Sequence, residues 1–193
     1  TDYSSYAYVL LSAVVQCAGK SKLDEQLSER IGQPLDLRSF QMDVAFQAQK
    51  DWVTSYKISN GAPKPVKDYA HFWKHGAGGY KSDVRDFAKF ACALSSKQLI
   101  NEQTTTAMWT NQNTVDGVKS KFGLGVAVQG EGRSLKISHN GSQDETRTRM
   151  VIYPNRGHGV VVMCNTQGAE PRRISTAIYS AMNRKLKTVE PER

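Results

Sequence analysis

Near Gly117 the hydrophobic period of this chain changes from that of a helix to that of a strand, and it stays so for about fifty residues. Phe122–Gln129, Arg133–Ser138, Thr146–Tyr153 and Gly157–Asn165 read as four successive strands. Gly130-Glu131-Gly132, His139-Asn140-Gly141-Ser142 and Pro154-Asn155-Arg156-Gly157 read as the turns between them. Short connections of this kind join antiparallel neighbours, so a parallel sheet with crossover helices is excluded for this region. Arg172–Leu186 then carries Ile174, Ala177, Ile178, Ala181 and Met182 on one side, the pattern of a closing amphipathic helix.

The part before Gly117 is helical in period. Tyr8, Leu11, Val15 and Ala18 share one face, and Gly19 supplies a stop. Ser21 is the expected cap of a second helix, with Leu23, Leu27 and Ile31 along one side and Gly32 and Pro34 at its end. Residues 38–75 show no sustained period and contain Asn60-Gly61-Ala62-Pro63-Lys64-Pro65, which predicts a long excursion with little regular structure. Loops of that length are more often functional than idle. Gly76-Ala77-Gly78-Gly79 marks a tight passage, after which Ser82 is the expected cap of a helix striped by Val84, Phe87, Ala88, Ala91 and Leu94. Asn101 caps a shorter helix bearing Met108 and Trp109. The fold class expected is α+β.

Composition narrows the remaining classes. The chain has 193 residues, 39% hydrophobic and 23% charged, which excludes a mainly disordered chain, a collagen-like repeat and a coiled coil. Apolar runs reach five or six residues, as in Gly159–Cys164, so no membrane span is expected. No signal-peptide pattern is visible at its start. The net charge is +8, and residues 131–193, with 11 basic and 6 acidic side chains, supply most of the excess. Arg147-Thr148-Arg149 is too short a basic run to argue for nucleic acid, so the surplus reads as a solvated surface. Cys17, Cys92 and Cys164 are odd in number and widely spaced, which fits neither a disulfide framework nor CxxC zinc ligation. Their apolar neighbours predict buried thiols acting as small hydrophobes.

Of the four histidines, His71 and His75 stand four apart but have no third ligand at a usual spacing, and His158 opens an apolar strand. His139 is followed by Asn140-Gly141, where glycine lets another molecule lie close to the backbone. Either a plain turn or a site explains it.

Four segments, in order, decide between those two. They are Tyr3-Ser4-Ser5 with the helix after it, Gly19-Lys20-Ser21 through Pro34-Leu35, Ala77-Gly78-Gly79-Tyr80-Lys81-Ser82 with Asp86–Phe90, and Phe122-Gly123-Leu124-Gly125 followed by His139-Asn140-Gly141-Ser142 and Val160–Asn165. Together these resemble the C-terminal part of serine β-lactamases of class C type, a family that includes penicillin-binding proteins, DD-peptidases, D-aminopeptidases and related esterases. The resemblance implies an antiparallel sheet flanked by helices, without the family's N-terminal strands and nucleophile helix. It places residues 1–187 as the C-terminal portion of one such domain. Residues 1–116 form its mainly helical part with the loop 38–75, residues 117–187 the sheet and last helix, and 188–193 a tail.

The function implied is part of a serine hydrolase that acts through an acyl-enzyme on an ester, amide or β-lactam. By that resemblance Tyr3 is the base or proton relay. An unperturbed phenol titrates near pH 10, so that role needs neighbouring cations. Ser5 takes the place of a substrate-orienting Asn, His139 the Lys/His position, Asn140 that of a Thr in the site wall, and Gly141 keeps the strand open. The backbone N–H of Ser142 is the implied oxyanion donor. No cofactor or metal is implied. The implied partners are a small-molecule or peptide-like substrate and either an upstream segment of the same protein or a swapped copy. The compartment implied is periplasmic or extracellular.

The departures matter equally. No serine stands three residues before a lysine anywhere in the chain, so the nucleophile is missing from it. Ser5 lacks the amide of Asn, Asn140 changes a hydrogen-bonding wall, and His139 weakens any pull on a carboxylate near neutral pH. These changes leave open a catalytically inactive binding or structural module. Trp52, Tyr56, Tyr69, Phe72 and Trp73 of the long loop either line a cleft or pack the loop down.

Overall fold

The computed structural model describes residues 3–44, 52–66 and 72–189. The first helix, α1 (Ser5–Gly19), is capped by the Ser4 hydroxyl, which accepts from the Ala7 N–H at 3.3 Å. It ends where Lys20 turns into the left-handed region at φ 55°. The second, α2 (Leu23–Leu27), starts after Lys22 rather than Ser21 and widens into a π turn over Ser28–Gly32. The strand β1 (Gln41–Met42) later pairs with β4 (Tyr80–Lys81).

The long excursion holds more regular structure than its sequence suggests. Strands β2 (Ser55–Ser59) and β3 (Ala62–Val66) form a hairpin around Asn60 and Gly61, whose φ values of 53° and 75° are those of a type I′ turn. Pro63 and Pro65 are tolerated because β3 is the outer strand and needs no donors on its far side. The hairpin docks on the main sheet through Tyr56, whose N–H donates to the Asn165 carbonyl at 2.9 Å and whose carbonyl accepts from Gln167. A 3-10 segment, Phe72–Ala77, follows.

Asp83, not Ser82, caps α3 (Val84–Ser95), accepting from the Asp86 N–H at 2.8 Å. The buried Asp86 carboxylate in turn accepts from both the N–H and the hydroxyl of Ser39, each at 2.7 Å, and pins the chain after α2 to α3. Asn101 caps α4 (Glu102–Met108), as expected, with its side-chain oxygen 2.8 Å from the Thr104 N–H.

The main sheet is antiparallel with the order β5 (Ala127–Gln129), β6 (Lys136–Ser142), β7 (Arg147–Tyr153), β8 (His158–Cys164). The last helix, α5 (Pro171–Val189), lies on it. The α+β class is therefore as the sequence indicates. Among the described residues no helix is long and apolar enough to cross a membrane.

Two faces of β7 make two cores. Met150 and Ile152 pack with Ile137, Val126 and Val128, and with Ala91 and Leu94 of α3. Val151 packs with Val160 and Val162 under Tyr179 and Met182 of α5. Burial on both faces explains why Met150–Ile152 is a continuous apolar run rather than an alternating one.

Two expectations fail here. Phe122–Gln129 is a strand only from Ala127, because Gly125 at φ 76° breaks its first half. The thiols of Cys17 and Cys92 are exposed and that of Cys164 is half-buried, since α1 and α3 turn their cysteines away from the faces that pack.

Ile137 is fully buried in the first core. Replacing it by Ala is expected to cost about 2–5 kcal/mol, from lost burial of the removed groups together with the cavity left behind, measured as a lowered denaturant midpoint with unchanged slope.

Candidate active site

The sheet register corrects one further reading. His139–Ser142 is not a turn. It is the end of β6, paired with β7 as His139↔Met150, Asn140↔Arg149, Gly141↔Thr148 and Ser142↔Arg147. The turn proper comes after it, where the Gln143 N–H donates to the Thr146 carbonyl at 2.9 Å. Glycine at 141 allows the strand to run on, because a Cβ there would meet the Thr148 hydroxyl oxygen at 2.2 Å.

Alternation then sorts the four residues. With Gln143 and Thr146 bonded to each other, the next pair, Ser142 and Arg147, is of the non-bonded kind, so its N–H and carbonyl groups point away from the partner strand. The Ser142 N–H therefore faces the side of β6 where β5 would continue. But β5 stops at Ala127, opposite Ser138. Beyond Ser138 that edge of β6 has no strand partner among the described residues.

The side chains divide between the two faces of the sheet. His139, Gly141 and Gln143 follow Ile137 on the α3 face, and the 3-10 segment covers that end. The Lys74 ammonium donates to Gln143 Oε1 at 2.5 Å, and Gln143 Nε2 donates to the Gly78 carbonyl at 3.0 Å. Burial pushes the half-buried His139 imidazole below its ordinary value, against a weaker opposing contribution from the Asn140 backbone hydrogen bond. It is neutral at pH 7. Asn140 and Ser142 lie on the α5 face, where Asn140 Oδ1 accepts from Arg149 Nη1 at 2.5 Å.

Tyr3 and Ser5 stand at the start of α1, both exposed, with the Tyr3 ring 6.5 Å from that of Tyr8. No hydrogen bond or ring contact joins either to His139 among the described residues. The 3-10 segment links the two regions instead. The Trp73 ring lies 6.4 Å from Tyr6 of α1, and a Cβ on Gly76 would meet the Ser12 side chain and the Tyr8 carbonyl. The same segment holds Lys74 against Gln143.

The aromatic residues of the excursion do not form one wall. Trp52 lies under the Lys81 ammonium, 3.1 Å from its ring centre, Tyr56 belongs to the hairpin, and Trp73 flanks α1. Tyr69 and His71 lie outside the described residues. Lys74 and Gln143 were invisible as partners in the sequence, because nothing in a linear pattern relates positions 69 apart. A cavity of about 320 Å³ opens beside this link, between Leu11 and Val15 of α1, Leu23 and Leu27 of α2, and His75 and Tyr80. Burial pushes the Tyr80 phenol up to about 12, with the nearby Asp24 charge adding to it.

Comparisons with known proteins agree with this geometry. A family model described as Beta-lactamase matches residues 1–181. The unguisins hydrolase ungD′ of Aspergillus campestris is 21% identical over 205 residues, covering 100% of this chain and 38% of the relative. The octameric penicillin-binding protein homologue from Pyrococcus abyssi superposes with a TM-score of 0.78 at 20% identity, over 93% of this chain and 42% of that one. A D-stereospecific amidohydrolase from Streptomyces gives 0.70 at 21% identity, over 85% and 50%. The chain thus spans half or less of the length of these proteins.

For His139, a folded-state pKa below the unfolded value of 6.5 means that the unfolded chain binds more protons in the window between the two. Stability is expected to be complete well above pH 6.5 and to fall as the pH drops through and below it. His139→Gln should flatten that dependence in denaturant titrations, and the His139 ring signal should titrate below that of a surface histidine by NMR.

Proposed function

The chain belongs to the β-lactamase family, and on that premise we propose that it is the C-terminal half of a serine hydrolase acting through an acyl-enzyme on an ester, amide or β-lactam. The observation that carries this reading is the open edge of β6. There a backbone N–H, that of Ser142, is released from the ladder beside Gly141, at the place where the family binds the oxygen of the attacked carbonyl. A donor aimed where negative charge develops is worth about 3 kcal/mol in the transition state.

In the proposed reaction a serine supplied by an upstream Ser-x-x-Lys segment adds to the substrate carbonyl. Its proton passes to Tyr3, which takes part as the phenolate favoured by the lysine of that upstream segment, and the carbonyl oxygen becomes an oxyanion facing the Ser142 N–H. Collapse expels the alcohol or amine, which takes the proton from Tyr3, and water then releases the acyl group by the same steps. Ser5, His139, Asn140 and Gly141 line the substrate. Neutral His139 suits a donor or acceptor role better than that of a fixed cation.

Two surfaces support an upstream half. Tyr6, Leu10 and Val14 of α1, spaced four apart, are 76%, 71% and 58% exposed, and no residue of that helix is buried. A helix so apolar is ordinarily covered. Among the described residues β8 is paired by β7 alone in the main sheet, which leaves an edge for further strands. The alternative of an inactive binding module draws on Ser5 and on Asn140, whose side-chain oxygen is already held by Arg149.

A fluorophosphonate probe, followed by intact-mass and peptide analysis of the natural-length protein, is expected to label one serine outside residues 1–193. A label inside these residues overturns the nucleophile assignment, and no label at all favours the inactive module. Proline at 142 removes the outward N–H without breaking a ladder bond. Ser142→Pro should therefore lower kcat about 100-fold further than Ser142→Ala, with a smaller change in KM.

A further inference from the structure

Beyond Ser138, β6 has a strand partner on one side only among the described residues. Strand ends with few partners fray first. Ser142 is the last residue of that strand, and the Ser142–Arg147 pair is of the non-bonded kind, so Ser142 has no ladder bond of its own. Before it stands Gly141, whose backbone is the least able to hold a peptide plane by itself. What holds the far side is Gln143.

Each polar group of Gln143 has a partner. Its N–H donates to the Thr146 carbonyl at 2.9 Å, and its carbonyl accepts from Arg147 Nη1. These bonds close the turn on itself. Its side chain reaches to a distant part of the chain, where Oε1 accepts from the Lys74 ammonium at 2.5 Å and Nε2 donates to the Gly78 carbonyl at 3.0 Å. The first of these is charge-assisted and so the stronger.

The loop that receives the amide is shaped to do so. Lys74 leaves the helical region at φ −124°, ψ 35°, and its carbonyl accepts from the Gly79 N–H at 3.3 Å. Gly78 stands at φ 131°, where any side chain is strained, and a Cβ there would come 3.4 Å from Gln143 Nε2. The path from Lys74 to Gln143, on to Gly78 and back through Gly79 is thus a closed ring. An amide suits both ends of it, because one atom must accept from a cation and the other must donate to a carbonyl. A carboxylate has no donor, and a hydroxyl has no reach.

We infer that Gln143 is a positioning residue for the oxyanion donor. It ties the end of β6 to the loop 74–79 and thereby fixes the direction of the Ser142 N–H one residue away. The catalytic part of this role rests on the hydrolase reading above, and the tie itself does not.

Gln143→Met keeps the length of the side chain and loses both of its hydrogen bonds. Lys74→Met breaks the same tie from the other end without touching the strand, so it reports even where Gln143→Met fails to fold. In the natural-length protein, followed by amide ¹⁵N relaxation, the order parameter of Ser142 is expected to fall from about 0.85 to below about 0.6 in Gln143→Met and part of the way in Lys74→Met. No fall in either variant overturns the tie. With p-nitrophenyl acetate as substrate, kcat should drop about tenfold in Gln143→Met with KM unchanged. Gln143→Glu, which keeps the acceptor for Lys74 but not the donor to Gly78, should lose less. Ser142→Pro has no N–H to aim, so Gln143→Met added to it should lower kcat no further, whereas a merely structural loss would multiply. A multiplied loss, or an unchanged kcat in Gln143→Met, overturns the catalytic part. If the natural-length protein does not cleave the ester at all, the hydrolase reading falls and takes that part with it, while the order parameters still decide the tie.

Discussion

Everything in this structure hangs from β7, which pairs with β6 over Arg147–Ile152 on one side and with β8 over Arg147–Tyr153 on the other. A strand paired on both sides and covered on both faces favours apolar residues on each, and Met150-Val151-Ile152 supplies that at its centre. One face gathers the helices that precede the sheet and the other takes α5. Because a one-residue slip would carry every side chain to the wrong face, burial on two sides holds the register tightly. The candidate site inherits that precision. Its residues belong to the strand next to β7 rather than to a free loop.

The same strand divides the chemistry. Gly141 and the Ser142 N–H are the parts that lie on the edge, and β5 exposes that edge by ending early. On one face the 3-10 segment reaches across through Lys74 and Gln143 and ties the strand to the start of α1, where Tyr3 and Ser5 stand. On the other, Asn140 and Arg149 place an amide and a buried cation next to α5. A two-residue period thus gives a single strand two environments, a neutral imidazole in one and a guanidinium in the other.

Much of this was legible in the residues. The α+β order, α1, the shorter helix capped by Asn101, the three long strands and the closing helix follow from period and caps, and the family follows from motifs in order. What was misread shares a cause. Asn60-Gly61-Ala62-Pro63-Lys64-Pro65 reads as a breaker in sequence, yet prolines are harmless on an outer strand, and only the docking of Tyr56 on Asn165 shows which strand is outer. His139–Ser142 reads as a turn because Asn-Gly favours one, yet Thr148 across the ladder uses the space that glycine leaves. The cysteines were expected inside because their neighbours are apolar, but neighbours in sequence lie on different faces of a helix.

Local pattern determined the elements, their order and the kinship of the chain, because periodicity and capping depend on residues a few positions apart. The absence of a Ser-x-x-Lys nucleophile is likewise a matter of sequence alone. The tertiary structure decided which edge of β6 is left unpaired among the described residues, that His139 is half-buried with its imidazole held below its ordinary value, and that Arg149 is covered. These depend on what another part of the chain places nearby. Desolvation, strand register and the position of a charge on a distant helix are properties of the packed molecule, and no stretch of sequence contains them.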